Sequence, residues 1–158
     1  MHEPLSSHSL FRSHAHATHA QLEALSKFVE MKGPAQRRKA LQRLEEALLA
    51  HLRAEEEWVL PDFGLVHASE AARIRAAHEC IRQRITRMNS ATHSDGIDDH
   101  TVRELSKLIR ECASFEELVL YPWAEHQLRT SKKGEFSAAR ARFEAGGSSS
   151  TGAASLSR

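Results

Sequence analysis

An excess of charge of one sign is missing: 22 Lys and Arg face 21 Asp and Glu in a chain of 158 residues. There is no net field to hold a nucleic acid or an anionic membrane by counterion release, so the expectation is no nucleic acid and no membrane partner. No uncharged apolar run is long enough to span a bilayer. Two cysteines are too few for a disulfide scaffold. The opening MHEPLSSHSLF has neither the basic start nor the apolar stretch of a secretory signal, so a cytoplasmic location is expected. Aromatic polar side chains are also scarce, with one Tyr and two Trp, whereas histidine is abundant at 11. Histidine is the commonest metal ligand, so that excess has to be divided between solvated residues and residues with chemistry to do.

No segment alternates long enough to argue for a strand, and four stretches repeat at helical spacing. The first, from about Ser9 to Met31, carries Phe11, Ala15, His19, Leu22, Leu25 and Val29 as its stripe and closes at Lys32-Gly33-Pro34. There glycine suits a C-terminal cap and proline the first turn of the next helix. The second carries Leu41, Leu44, Leu48, His51, Glu55 and Trp58, stops near Pro61 and leads into a turn through Phe63-Gly64. The third starts near Ser69 with Ala71, Ile74, His78, Ile81, Ile85 and Met88. The fourth, capped by Asp98 or Asp99, carries Val102, Leu105, Ile109, Cys112, Glu116 and Val119 and ends near Pro122. Four amphipathic helices joined by short connections predict an all-α, up-down-up-down antiparallel four-helix bundle over residues 1–130. Residues 131–158 are expected to hold a short helix from Phe136 to Phe143 and a disordered low-complexity tail, GGSSSTGAASLS.

The halves resemble each other. HLRAEEEWVLP, from His51 to Pro61, lies over CASFEELVLYP, from Cys112 to Pro122, so that Glu55 meets Glu116, Pro61 meets Pro122 and His51 meets Cys112. His19, His51, Glu55, His78, Cys112 and Glu116 thus fall on stripes otherwise made of Leu, Ile, Val and Ala. An unpaired carboxylate in such a core costs several kcal/mol or takes up a proton, and no Lys or Arg shares these stripes. A divalent or trivalent cation would supply the charge, with imidazole nitrogens and carboxylate oxygens suited to iron, manganese or zinc. The i, i+4 spacing in His51/Glu55 and in Cys112/Glu116 stacks two ligands one turn apart on one face. His16, one turn before His19, is its rival on the first helix. His2, His8, His14, His67, His93, His100 and His126 fall near termini, turns or helix edges and are expected to be solvated. Glu56 and Glu117 are read as the solvent-facing members of their pairs, and Trp58, Phe115 and Tyr121 as packing residues.

In these residues the chain resembles the hemerythrin-like family, the HHE cation-binding domain. The family pattern is a histidine on the first helix, H-x-x-x-E on the second, a histidine on the third and H-x-x-x-E on the fourth. Here the positions read His19, His51 with Glu55, His78, and Cys112 with Glu116, and the resemblance covers about Leu10 to Leu128. It implies a bundle around non-haem iron, two irons per chain bridged by the glutamates, that binds or senses dioxygen, nitric oxide or peroxide. The departure is Cys112, where the family has histidine. Either the sulfur binds metal, as a thiolate that favours the oxidised ion, or the second position is short of a ligand and its occupancy falls. Two other readings stand beside the sensor: a peroxide-reducing or ferroxidase-like enzyme, favoured by an oxidisable Cys112, and a degenerate or zinc-filled bundle acting as an interaction domain.

Overall fold

The computed structural model describes residues 9–91 and 97–130, which form five helices and no strand. They are α1 (Ser9–Glu30), α2 (Pro34–Trp58), α3 (Leu60–Val66), α4 (Ala68–Ala91) and α5 (Asp99–Thr130). The four long helices form a ring, α1 against α2 and α5, α4 against α2 and α5, while α3 lies across α2, α4 and α5 at one end. No described helix is long and apolar enough to cross a membrane. The expected helix from Phe136 to Phe143 and the tail after it lie outside the described residues.

Local chemistry accounts for most of the helix boundaries. Pro34 opens α2, where its missing N–H would have had no partner in any case. Gly33 before it is not the left-handed C-cap that the sequence suggests. It lies at φ −82°, ψ 123°, an extended N-cap for α2 whose carbonyl accepts from the Arg37 N–H at 2.9 Å. Asp98 caps α5 as expected, its Oδ1 accepting from the Thr101 N–H at 2.7 Å. Ser69, expected as a cap, lies inside α4 instead, and the His67 carbonyl accepts from the Ala71 N–H at 3.0 Å.

The two matching prolines behave differently. Near Pro61, α2 bends at Val59 (φ −117°, ψ −49°) and the chain continues as α3, which replaces the expected turn through Phe63-Gly64. Pro122 does not end α5, which runs through it to Thr130. Pro122 is on the exposed face, where water can take the carbonyl it leaves unpaired, while Tyr121 and Ala124 beside it are fully buried. Burial of those neighbours, together with Leu128, holds the helix together.

Two apolar clusters fill the ring. One gathers Leu25, Phe28, Leu41, Leu48, Ile85 and Leu105 toward the α1–α2 turn. The other gathers Leu10, Leu60, Phe63, Ile74, Leu120 and Tyr121 at the end covered by α3. All six residues expected on the α4 stripe are buried. On α1 the stripe is different: Leu10, His14, Thr18, Gln21, Leu25 and Phe28 are buried, while Phe11 (38%) and Val29 (39%) are exposed. The helix is therefore turned by one residue, about 100°, from its apolar reading. Phe28→Ala should then cost about 3–5 kcal/mol in urea unfolding. Val29→Ala should stay within about 0.5 kcal/mol.

Candidate metal centre

Between the two apolar clusters lies a polar layer. His14, Glu55, His78 and Glu116 are each no more than 2% exposed, and each comes from a different long helix. His51 is half-buried one turn before Glu55, and Cys112 is buried one turn before Glu116. The depth of the layer follows from residue numbers about the first turn: His14 lies 19 positions before Gly33 and His51 lies 18 after it. Helical rise is uniform, so the two reach the same height. Their rings stack with centroids 5.2 Å apart.

The donor atoms fall into two sets that follow the internal repeat. One ligand atom each from His14, His51 and Glu55 lie within 4.8 Å of one another, and so do those of His78, Cys112 and Glu116. Each set takes one histidine from the first helix of a pair, α1 or α4, and an i, i+4 pair from the second, α2 or α5. The carboxylates also cross between the sets. Glu55 Oε2 is 3.2 Å from His78 Nε2, and Glu116 Oε2 is 3.6 Å from His14 Nε2.

Hydrogen bonds leave particular atoms unserved. His78 bonds through Nδ1 to Glu56 Oε1 at 2.9 Å and through Nε2 to Glu116 Oε1 at 2.8 Å. The Cys112 thiol donates to the same Glu116 oxygen at 3.1 Å, and the Tyr121 hydroxyl donates to Glu55 Oε1 at 2.5 Å. Both ring nitrogens of His14 and Oε2 of Glu55 remain without a hydrogen bond, although all three are buried. His14 Nδ1 lies only 3.1 Å from Glu55 Oε1, but proximity without alignment is not a hydrogen bond. Buried polar atoms of this kind need a partner, and nitrogen and oxygen donors converging from several helices fit a cation.

The charges of the metal-free chain show what a cation would replace. Burial alone would depress the His78 imidazolium, but the nearness of Cys112, Glu116 and Glu55 outweighs burial and raises it to about 12. Burial likewise disfavours charge on His14, and Glu55 and Glu116 reverse that and raise it. Glu55 is opposed by burial too, yet His51, His14 and His78 pull it well below the ordinary carboxylate range. Burial lowers His51, and burial raises the Cys112 thiol to about 12 and the Tyr121 hydroxyl well above its usual value. A protonated His78 thus supplies the positive charge among the carboxylates. Metal binding has to displace that proton, and that of Cys112 if sulfur ligates.

Four of the six residues expected at the site are buried in the layer, and His51 is half-buried beside them. His19 is corrected: it is exposed, and so is its rival His16. His14, expected to be solvated, occupies the core position. The cause is that the buried positions after His14 are Thr18 and Gln21, both facing the layer, so the apolar period is lost where the site begins. Leu22, three after His19 as Ile81 is three after His78, supplied a false match. The nearly equal distances of His14 and His51 from Gly33, 19 and 18 positions, were the signal that could have found it. Glu56 is corrected as well. It is partly buried, accepts from His78 and is held by Arg82, which also donates to it. Tyr121 does more than pack, since its hydroxyl holds Glu55.

The raised His78 contributes stability that is complete below its ordinary value of 6.5 and is lost as pH climbs toward its folded value of about 12. Glu55 contributes stability present above 4.5 and lost as pH falls below it. His51, buried neutral, works against folding below 6.5. The thermal midpoint of metal-free protein should therefore peak in the mildly acid range and fall on both sides. Cys112 should add to the alkaline loss above 9.0. In His78→Gln the loss between pH 6.5 and 9 should shrink to the part that the raised His14 contributes, and an unchanged slope there would contradict the assignment.

Comparison with curated proteins and with solved structures gives no match. Residues 7–138 match the family described as the hemerythrin HHE cation binding domain, which takes in every described helix. With its buried carboxylates, its imidazoles from α1, α2 and α4 and its matched length, the chain belongs to the hemerythrin HHE cation-binding domain family.

Proposed function

We propose that the protein is a non-haem di-iron protein that binds or senses a small oxidant such as dioxygen, nitric oxide or peroxide. The observation that carries this reading is the pair of donor sets, with buried atoms on His14 and Glu55 that make no hydrogen bond. His14, His51 and Glu55 would hold one ion and His78, Cys112 and Glu116 the other, with each carboxylate within reach of both. Bound iron would supply open coordination positions and a change of oxidation state. In this reading the long helices alternate in direction as an up-down-up-down bundle, which lets the heights of His14 and His51 agree. The protein is cytoplasmic and has no nucleic-acid or membrane partner.

The chain's own residues prepare the site. Tyr121 fixes one oxygen of Glu55 and turns the other toward His78. Glu56, anchored by Arg82, holds Nδ1 of His78 and thereby aims Nε2 inward. Beside the layer is a chamber of about 10 Å³ bordered by Thr18, Gln21, Leu48, Ile81 and Ile109. That is about the space one water needs, which favours a ligand of very few atoms over an organic substrate. The second reading, a peroxide-reducing enzyme, is favoured by one feature, the Cys112 thiol inside a donor set.

Protein purified without an affinity tag should carry two irons per chain, and chelation should lower its thermal midpoint. Iron-free or zinc-filled protein would instead support an interaction domain. Glu55→Ala should abolish iron retention while Glu57→Ala, on the exposed face, leaves it unchanged. Glu56→Gln should weaken retention about 10–100-fold. If Cys112 ligates, ferric protein should show a sulfur-to-iron charge-transfer band that Cys112→Ser removes and Cys80→Ser, at an exposed position, keeps. Steady peroxide consumption that Cys112→Ser abolishes would move the assignment to the enzyme.

A further inference from the structure

A second cavity, of about 170 Å³, opens between α4 and α5 on the outside of the donor layer. Ala77 and Leu108 are among its walls, and Arg73, Glu111 and Phe115 stand at its exposed side. The Arg73 guanidinium lies over the Phe115 ring, 3.9 Å from the centroid. Cys112 lines this cavity and also lines the small chamber beside the donor layer, and it is the residue the two share. The two spaces therefore meet at one residue, Cys112, which borders both the solvent-side cavity and the place where His14, His51 and Glu116 converge.

We propose that this α4–α5 cavity is the route by which small uncharged molecules reach the centre, with the Cys112 sulfur as its inner door and the Arg73–Phe115 pair as its outer one. Arg73 and Glu111 put one charge of each sign at the mouth, so no net charge selects there. Size does, because the space narrows from about 170 Å³ to a chamber of about 10 Å³ across one thiol. A cation stacked on a ring at an exposed site is held weakly enough to swing aside. The proposal rests on the metal reading only for what lies beyond the door, since the route itself belongs to the chain.

The route is testable on metal-free protein by the reactivity of the thiol. In a Cys80→Ser background the remaining thiol is Cys112. The probe is methyl methanethiosulfonate, small and neutral, set against a bulky dye maleimide at one pH. The small reagent should label Cys112 at least tenfold faster, relative to each reagent's rate on a free thiol. Ala77→Phe, which fills the cavity, should slow the small reagent at least tenfold, and Arg73→Ala should speed it severalfold, with thermal midpoints close to the parent. Leu108→Phe serves as a second plug should Ala77→Phe fail to fold. Overturning results are an unchanged rate in a folded plugged variant, or equal relative rates for the two reagents, which would mean access by unfolding. Iron content is measured separately: a chain that binds no iron yet shows the labelling pattern sinks the metal reading and keeps the route. One that binds iron but labels regardless of plugging does the reverse.

Discussion

Two carboxylates buried in the middle of a helical bundle are the constraint on which the rest depends. Glu55 and Glu116 sit at 0% and 2% exposure between two apolar clusters, and their nearest counter-charges are imidazoles. A buried ion needs a partner of opposite charge with good geometry, or its desolvation is not repaid. In the metal-free chain the proton on His78 meets that need in part, while two nitrogens of His14 and one oxygen of Glu55 still go without hydrogen bonds. The arrangement is held by groups placed behind it: Tyr121 on Glu55, and Glu56 with Arg82 on His78. Breaking one of these frees a donor atom to turn away from the layer.

The same constraint explains which parts of the molecule were legible in the sequence. α4 was readable in full because His78 is flanked on its stripe by Ile74, Ile81, Ile85 and Met88, so one polar residue interrupts a continuous apolar period. The Glu55 and Glu116 positions were readable because each repeats the other within a matching segment. α1 was not readable by period, because three successive stripe positions, His14, Thr18 and Gln21, are polar and the apolar residues Ala15, Leu22 and Val29 lie on a neighbouring face. A site that needs polar residues erases the signal by which its helix is phased. Only a quantity independent of hydropathy, the distance from the turn, restores it.

The helix ends show a related limit. Pro61 and Pro122 stand at equivalent places in the repeat, yet α2 bends into α3 before the first and α5 continues past the second. Local propensity is the same in both, so the difference is tertiary. Beyond Pro122 the helix has Ala124 and Leu128 to place against the cluster around Leu60 and Phe63. Beyond Pro61 the chain must turn back toward α4 within a few residues, and α3 covers the end of the bundle while doing so.

The repeat also makes its one asymmetry informative. The first pair of helices offers two imidazoles and a carboxylate, the second an imidazole, a thiol and a carboxylate. Sulfur is larger and softer than nitrogen and, as a thiolate, brings a negative charge into a layer that already holds two. The two positions are therefore not equivalent for any ion, and the one at Cys112 favours the more highly charged state. Burial raises the thiol to about 12 and the neighbouring carboxylates raise His78 to about 12, so ligation at that position has two raised groups to deprotonate, whereas in the set on the first pair of helices only His14 is raised. Filling should then be sequential, with the His14, His51 and Glu55 set taking the first ion. In the proposed two-ion reading, titration of iron(II) into metal-free protein should show two steps, and the second should strengthen more than the first as pH is raised from 7 to 9. Replacing the thiol in Cys112→His should bring the steps together, because the second pair of helices would then offer the same donors as the first.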